Sequence, residues 1–274
     1  MWTANPLWAF PWYTAIAGCP VERDGDIVWA LPALDDLGQL DRVRFDPANP
    51  WFCRLLEFTA ALLEHGRGRY TVGMGLAAAP GDLMMQLRGQ DRLPLDLFDA
   101  PELVTALGEC CVDFVANALD AHYAAVPRHL GGYAGTLRYF WAPDRLVESA
   151  EDLSFMLSPA MHRRFVVPLH RRLGRRYPHN IVHLHSAQLH TVATLLEVEE
   201  IAAIEITPDF GADMLPHLPT MAKILQRKPL LVHGIVSVDA AKEMIRTLPS
   251  CGFALFFRCD SPAEASATLD TVLG

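Results

Sequence analysis

NIVHLH, residues Asn180–His185, is the first of four short apolar runs in the second half of the chain, and a longer amphipathic run follows each of them. The other three are Ile201–Thr207, Pro229–His233 and Gly252–Cys259. Short apolar runs of this kind predict buried strands, and the amphipathic runs predict helices. Their regular alternation predicts consecutive βα units that build a parallel sheet.

The same alternation extends toward the N-terminus as far as about residue 69. The further strand candidates are Tyr70–Gly75, Thr136–Trp141 and Leu146–Glu151, and the predicted helices are Asp82–Leu87, Pro101–Ala125, Pro159–Arg176, Leu189–Glu197, Asp213–Gln226, Asp239–Thr247 and Pro262–Leu273. No Gly-x-Gly-x-x-Gly follows a strand candidate, which disfavours a doubly wound dinucleotide-binding sheet.

The sequence therefore predicts an α/β protein with a (β/α)8 TIM-barrel-like fold, built as a single domain over residues 1–274. Seven strands are visible. The first strand is then missing, modified or supplied by residues 1–65, which we interpret as an irregular N-terminal cap. This region carries several prolines and tryptophans among short strand-like pieces.

Composition narrows the class of protein. The chain of 274 residues is 51% hydrophobic and 20% charged, which is typical of a folded enzyme, and its net charge of −9 disfavours nucleic acid as a partner. The sequence lacks an apolar run long enough to span a membrane, and residues 1–6 lack the features of a signal peptide. We therefore expect a cytoplasmic protein.

The six cysteines show no Cys-x-x-Cys spacing and are expected to be free thiols.

The strongest candidate site lies on the run Asn180–His185. Side chains alternate along a strand, so His183 and His185 share the face opposite to Val182 and Leu184. In a barrel, the inward positions at the carboxyl ends of the strands form the active site. The pattern therefore predicts two imidazoles at the barrel mouth, an arrangement that commonly seats a divalent metal.

The next three strand candidates each end near one polar group: Glu205, His233 and Cys259. Together with the two imidazoles they form a mixed set of nitrogen, oxygen and sulfur donors, which suits zinc. Each of these residues also has a purely structural interpretation. Glu205 is then a hydrogen-bonded carboxylate at the rim, His233 a core histidine bonded to the backbone, and Cys259 a small apolar side chain that packs before a helix.

Two charged segments are less specific. Asp152, in the pair Glu151-Asp152, either reaches the site from the end of a strand or belongs to a simple loop. The arginines between Arg163 and Arg176 follow a helical spacing opposite Phe165, Leu169 and Leu173, so we interpret them as a solvated outer face rather than an anion site.

The stretches Glu151–Met161 and Phe165–Leu169 resemble the signature helix of the uroporphyrinogen decarboxylase superfamily, in which an acidic pair precedes Ser-Pro-Glu-Met, a phenylalanine and a mid-helix proline. Pro80–Leu83, Leu97–Glu102 and the His-x-His strand are also similar to that family. The resemblance runs from about residue 70 to the end of the chain. It implies a (β/α)8 barrel that is either a cofactor-free decarboxylase or a zinc-dependent methyltransferase acting with a corrinoid protein.

The resemblance favours the methyltransferase branch. The Arg-Gln-Ala-Gly-Arg type motif of the decarboxylases has no counterpart here. The methyltransferases hold zinc with His-x-Cys on this strand and with a second cysteine near the last strand. His183 matches the first ligand, His185 replaces the cysteine, and Cys259 falls in a comparable region.

The leading hypothesis is therefore a zinc-dependent methyltransferase-like enzyme. Its predicted metal ligands are His183, His185 and Cys259, and its predicted catalytic residues are Glu205, Asp152 and His233. The expected partners are a small-molecule substrate and a corrinoid protein that carries cobalamin, or a thiol acceptor; a homodimer is left open. The alternatives are a metal-free decarboxylase or lyase and a non-catalytic barrel that binds a tetrapyrrole or a partner protein.

Overall fold

The computed structural model describes residues 3–7, 10–73, 79–135, 140–234, 236–257 and 259–273. The strands are β1 (Thr3–Ala4), β2 (Val21–Asp24), β3 (Ile27–Ala30), β4 (Thr71–Val72), β5 (Tyr133–Ala134), β6 (Trp141–Ala142), β7 (Leu146–Ala150), β8 (His179–His185), β9 (Ile201–Thr207), β10 (Leu230–Gly234) and β11 (Phe253–Phe257). The α-helices are α1 (Trp12–Ile16), α2 (Pro50–Gly66), α3 (Pro80–Arg88), α4 (Leu93–Asp99), α5 (Pro101–Ala125), α6 (Pro159–Phe165), α7 (Val167–Arg176), α8 (Val192–Leu195), α9 (Leu218–Leu225), α10 (Val238–Thr247) and α11 (Pro262–Leu273). Short 3₁₀ helices lie at Leu37–Arg42, Asp152–Met156, Ser186–Thr191 and Leu215–His217.

The main sheet is parallel and has five strands in the order β11-β10-β9-β8-β7. Consecutive strands are therefore neighbours, as the alternation of βα units predicts. The pair β1 and β4 forms a separate two-stranded parallel sheet, and β2-β3 and β5-β6 are antiparallel hairpins. Within the described ranges these pieces are consistent with a barrel-like α/β fold, but they do not close into a complete ring.

Two glycines allow the smaller sheets to lie close to the main sheet. A Cβ on Gly73, just after β4, would come 2.5 Å from the carbonyl oxygen of Gly135. A Cβ on Gly135, just after β5, would come 2.7 Å from Glu148 Oε1 on β7. The missing side chains thus allow the ends of β4, β5 and β7 to approach one another.

The outer face of the main sheet packs against helices in one apolar core. Val182 and Leu184 of β8 lie there, together with Ile204 and Ile206 of β9 and Val232 of β10. A second core joins α1, α2, α3 and α5 to α7 and includes the buried Cys111. All six cysteines are free thiols, as expected.

Several sequence predictions are corrected by the structure. Within residues 1–65, which we interpret as an N-terminal cap, the structure describes the hairpin β2-β3 and most of the 17-residue helix α2. The single helix predicted over Pro159–Arg176 is divided at Val166, since Pro168 lacks an N–H group and its ring collides with the carbonyl of the preceding turn. Trp141, predicted to end a strand of the parallel sheet, instead begins β6, which pairs antiparallel with β5.

Parts of three predicted strands lie outside the described residues. These are positions 74–75 of the candidate Tyr70–Gly75, positions 136–139 of the candidate Thr136–Trp141 and position 258 of the candidate Gly252–Cys259. Among the helices that the structure does describe, none combines the length and the apolar character needed to cross a bilayer.

The arginine-rich face of α6 and α7 is solvated, as the sequence indicates. Its members pair with acids on neighbouring elements: Arg163 with Glu197, Arg172 with Asp113, Arg175 with Glu200 and Arg176 with Asp120. These exposed pairs stabilise the fold little individually, and they supply no evidence of an anion site.

Candidate functional site

The inner face of the main sheet carries the candidate site. His183 and His185 lie on the face of β8 opposite to the buried Val182 and Leu184, so the predicted alternation is confirmed. The register pairs His183 with Glu205 and His185 with Thr207 on β9. The strand register therefore brings two imidazoles and one carboxylate to adjacent positions on one surface.

Glu205 is fully buried and lies between two histidines. Its Oε2 accepts a hydrogen bond from His183 Nδ1, and its Oε1 accepts one from Thr207 Oγ1 at 2.8 Å. His233 Nδ1 on β10 lies 3.8 Å from the same Oε1. A buried carboxylate is stable only when it is paired, and these polar neighbours supply the pairing.

The two imidazoles of β8 face each other through their Nε2 atoms, which are 3.3 Å apart. The rings are nearly perpendicular, at 78°, with centroids separated by 4.9 Å. On the far side of the second ring, His185 Nδ1 lies 3.0 Å from Asp209 Oδ1, without the alignment of a full hydrogen bond. Each histidine therefore turns its Nδ1 toward a carboxylate and its Nε2 toward the other histidine.

Asp209 is held in place by the segment that follows β8. Its Oδ2 accepts hydrogen bonds from Ser186 Oγ at 2.6 Å and from the backbone N–H of Ala187 at 2.9 Å. Burial raises the pKa of Asp209, but these two hydrogen bonds and the neighbouring His185 lower it further than burial raises it. The net shift is downward, so Asp209 is ionised beside His185 at neutral pH.

Gln188 joins the ends of β7 and β8. Its Oε1 accepts a hydrogen bond from the backbone N–H of His185 at 2.6 Å, and its Nε2 donates to the carbonyl oxygen of Glu151 at 2.8 Å. The side chain is almost completely buried, at 2% exposure. Both its donor and its acceptor are thus used to fix the backbone that carries His185.

An open cavity of about 620 Å³ adjoins His185. Its polar walls include Asp152, Gln188 and Asp209, and its apolar walls are Met85, Phe155, Met156 and Ala187. A cavity of this size, with a few convergent polar groups and an apolar wall, is typical of a site for a small molecule. Phe155 and Met156 remain 63% and 41% exposed, so the apolar wall is open to a ligand.

Asp152 lines this cavity. Beside it, Asp82 on α3 accepts the backbone N–H of Leu153 at 2.9 Å. Burial, and then the charges of Glu151 and Asp152, raise the pKa of Asp82 well above its ordinary value. A buried carboxyl group with a raised pKa thus lies next to the cavity residue Asp152.

Cys259 is partly buried and lies two residues beyond the end of β11. Two strands, β9 and β10, separate β11 from β8. In the part of the chain that the structure describes, no three histidine, cysteine or acidic side chains are already arranged as a metal-binding group. The structure therefore brings the imidazoles of His183 and His185 together, whereas Cys259 follows a strand that β9 and β10 separate from β8.

Sequence reasoning overlooked Asp209, Gln188 and Asp82. Asp209 follows β9 by two residues and Gln188 follows β8 by three, so both stand where the strand ends of a parallel sheet place functional side chains. That position was a usable signal. Asp82 lies in the stretch Pro80–Leu83 that resembles the family, but its raised pKa comes from burial and from acids about 70 positions later in the chain.

The chain matches no protein-family model, and no curated protein matches it in sequence. Its fold is similar to that of a solved methyltransferase from Methanosarcina mazei, with a TM-score of 0.67 and 13% sequence identity. The similarity covers 98% of this chain and 79% of the other. At this level of identity, the likeness shows that the two proteins share a fold.

Proposed function

We propose that this protein is a metal-dependent methyltransferase-like enzyme that holds zinc on His183 and His185 and acts with a corrinoid protein or a thiol. The observation that carries the proposal is the pair of Nε2 atoms, 3.3 Å apart, on two imidazoles that both turn Nδ1 toward a carboxylate. The likeness in fold to a methyltransferase supports the reaction class.

The fit of the two imidazoles to zinc follows from elementary geometry. Two nitrogen ligands at about 2.0–2.1 Å from a tetrahedral ion are separated by about 3.3–3.4 Å. The Nε2 atoms of His183 and His185 have this separation, at 3.3 Å. When Nδ1 carries the proton of a neutral imidazole, Nε2 presents a lone pair. Two lone pairs that face each other favour a cation between them.

The carboxylates fit the same interpretation. A histidine that binds a metal usually donates its other ring N–H to a carboxylate, which fixes the tautomer and raises the basicity of the ligand. Glu205 has this relation to His183, and the ionised Asp209 faces Nδ1 of His185. Glu205 is fully buried, so we assign it the orientation of imidazoles instead of the catalytic acid role that the sequence suggested.

Zinc in such a site lowers the pKa of a bound thiol or water and so supplies a nucleophile at neutral pH. The chain's own residues do the rest. Gln188 fixes the backbone of His185, and Glu205 fixes the ring of His183. The substrate then binds in the cavity beside His185, where Asp152 supplies a polar group and Phe155 packs on the apolar part of the ligand. We propose Cys259 and His233 as the competing sources of a third ligand.

The test is the zinc content of protein purified without chelator, measured by elemental analysis on the wild type and on His183→Ala and His185→Ala. We expect about one zinc per chain in the wild type and less than about a tenth of that in either variant, because loss of one of two chelating imidazoles removes most of the affinity. Methyl transfer is followed in parallel as the loss of methylcobalamin absorbance in the presence of a small thiol, and it is expected to fall with the zinc.

His179→Ala is the matched control. His179 lies on the same strand at its opposite end, where it pairs in register with Leu146, so its loss leaves the zinc content unchanged. A wild-type protein that binds no zinc, even after zinc is added, would refute the proposal. Methyl transfer that persists in the zinc-free variants would also refute it.

The metal-free decarboxylase is the second candidate, and one observation favours it. Asp82 and the cavity residue Asp152 form an acidic group next to the site, and burial raises the pKa of Asp82. Acid catalysis uses arrangements of this kind. This candidate predicts that activity is lost in Asp152→Asn and retained in His185→Ala. The zinc-dependent proposal predicts that both variants lose activity.

A further inference from the structure

We infer that the third protein ligand of the metal is His233, so that the site is built from three imidazoles and contains no thiolate. The inference rests on the proposed zinc site at His183 and His185 and identifies its remaining donor. It departs from the ligand set that the sequence suggested, in which Cys259 completes the site.

The register of the sheet is the first argument. His185 is level with Thr207 on β9, and the pairing of Val232 with Ile206 places the next residue of β10, His233, at that same level. His185 and His233 therefore flank Thr207 on the inner face of the sheet. One strand between them leaves a separation of about 10 Å along the sheet, which inward side chains on a concave surface can span.

The shared carboxylate is the second argument. Glu205 Oε2 holds His183 Nδ1, and Glu205 Oε1 lies 3.8 Å from His233 Nδ1. The same buried group thus lies against Nδ1 of two histidines, which is the relation that second-shell carboxylates have with metal-binding imidazoles. His233 is 25% exposed, so its ring has room to turn about the side-chain torsions and align with the Nε2 pair.

Cys259 has neither advantage. The residue of β11 that stands level with His233 is Phe256, and its ring lies 5.0 Å from the imidazole. Cys259 is three residues further along the chain and one strand further from β8. The level of the sheet that holds His185 and His233 is therefore occupied on β11 by an aromatic ring, and the thiol lies beyond it.

The first experiment uses the wild type alone. X-ray absorption at the zinc edge of the metal-loaded full chain distinguishes a sulfur neighbour at about 2.3 Å from nitrogen or oxygen neighbours at about 2.0–2.1 Å. We expect a shell of nitrogen and oxygen without sulfur. The Co²⁺-loaded protein is likewise expected to lack the near-ultraviolet charge-transfer band of a cobalt thiolate. A sulfur neighbour or a thiolate band overturns the inference.

The second experiment measures zinc affinity by competition with a chelator. We expect His233→Ala to weaken binding by about 100-fold or more, because it removes a ligand, and Cys259→Ala to change it less than twofold. His233→Gln, which keeps the size and polarity of the side chain, is the fallback if the alanine variant does not fold. The opposite result, with Cys259→Ala weakening binding and His233 variants silent, overturns the inference but leaves the zinc-dependent function standing. A wild type without zinc refutes both.

Discussion

Glu205→Gln tests the role of the buried carboxylate in the candidate site. The substitution keeps the size of the side chain and a carbonyl oxygen that accepts from His183 Nδ1 or from Thr207 Oγ1, but it removes the negative charge. The hydrogen bond to the imidazole is then no longer charge-assisted, and such bonds are about twice as strong as neutral ones. The ring of His183 becomes a poorer donor to a metal and is held less firmly.

The magnitude follows from the position of Glu205. It orients the imidazole of a proposed ligand directly, and loss of such a partner typically weakens metal affinity by about 10–100-fold, which is about 1.4–2.7 kcal/mol. We therefore expect the Kd for zinc to rise within that range. Glu200→Gln is the matched control. Glu200 precedes β9, and its Oε1 lies 3.2 Å from Arg175 Nε on the outer surface. We expect this variant to change the Kd for zinc less than twofold.

The assay is competition for zinc between the protein and a chelator of known affinity at neutral pH, with far-UV circular dichroism to confirm that each variant is folded. Unchanged affinity in Glu205→Gln would show that the carboxylate does not support a ligand. An equal loss of zinc affinity in Glu200→Gln would show that removal of a negative charge anywhere on the protein weakens binding. Either result refutes the reasoning.

Three further predictions concern the fold. Burial lowers the pKa of His122 to about 4 from an ordinary 6.5, so as the pH falls this histidine is protonated in the unfolded chain before it is protonated in the folded one. The contribution of His122 to the free energy of unfolding is therefore fully present above about pH 6.5. It falls as the pH drops toward 4, by up to about 1.4 kcal/mol per pH unit. His122→Gln removes this titration, and urea unfolding should show a smaller acid loss than in the wild type. Gly174→Ala should lower the midpoint of urea unfolding, because a Cβ there would come 2.5 Å from the backbone oxygen of Glu200. Burial raises the pKa of the Cys111 thiol, so alkylation followed by mass spectrometry should label the exposed Cys53 in the native state and Cys111 only after unfolding.

Each of these has its own contrary outcome. If His122→Gln loses as much stability at low pH as the wild type, other groups are responsible for the pH dependence. Gly38→Ala is the control for Gly174→Ala, because a Cβ on Gly38 would meet nothing closer than 3.4 Å. Equal drops in the urea midpoint in the two variants would contradict the steric argument. Native labelling of Cys111 at the rate of Cys53 would show that the core opens readily.

The sequence by itself determined the order of the elements and the faces of the strands. The period of two in Asn180–His185 and the apolar residues between the histidines settle which side chains share a face, because a strand in a sheet must turn alternate residues to opposite sides. Helix α5 was predicted with its observed limits, Pro101–Ala125, since a proline at its first position and a continuous helical periodicity mark them.

Only the tertiary structure decided which polar groups meet. The contact of His185 with Asp209 joins residues from the ends of two strands, and the pairing of His183 with Glu205 depends on the register between β8 and β9, which includes an irregularity at Asn180. Local sequence does not specify such a register, because a shift of one residue turns every side chain to the other face. For the same reason the sequence suggested Cys259 from its place near the last strand, whereas the register sets His233 at the level of His185.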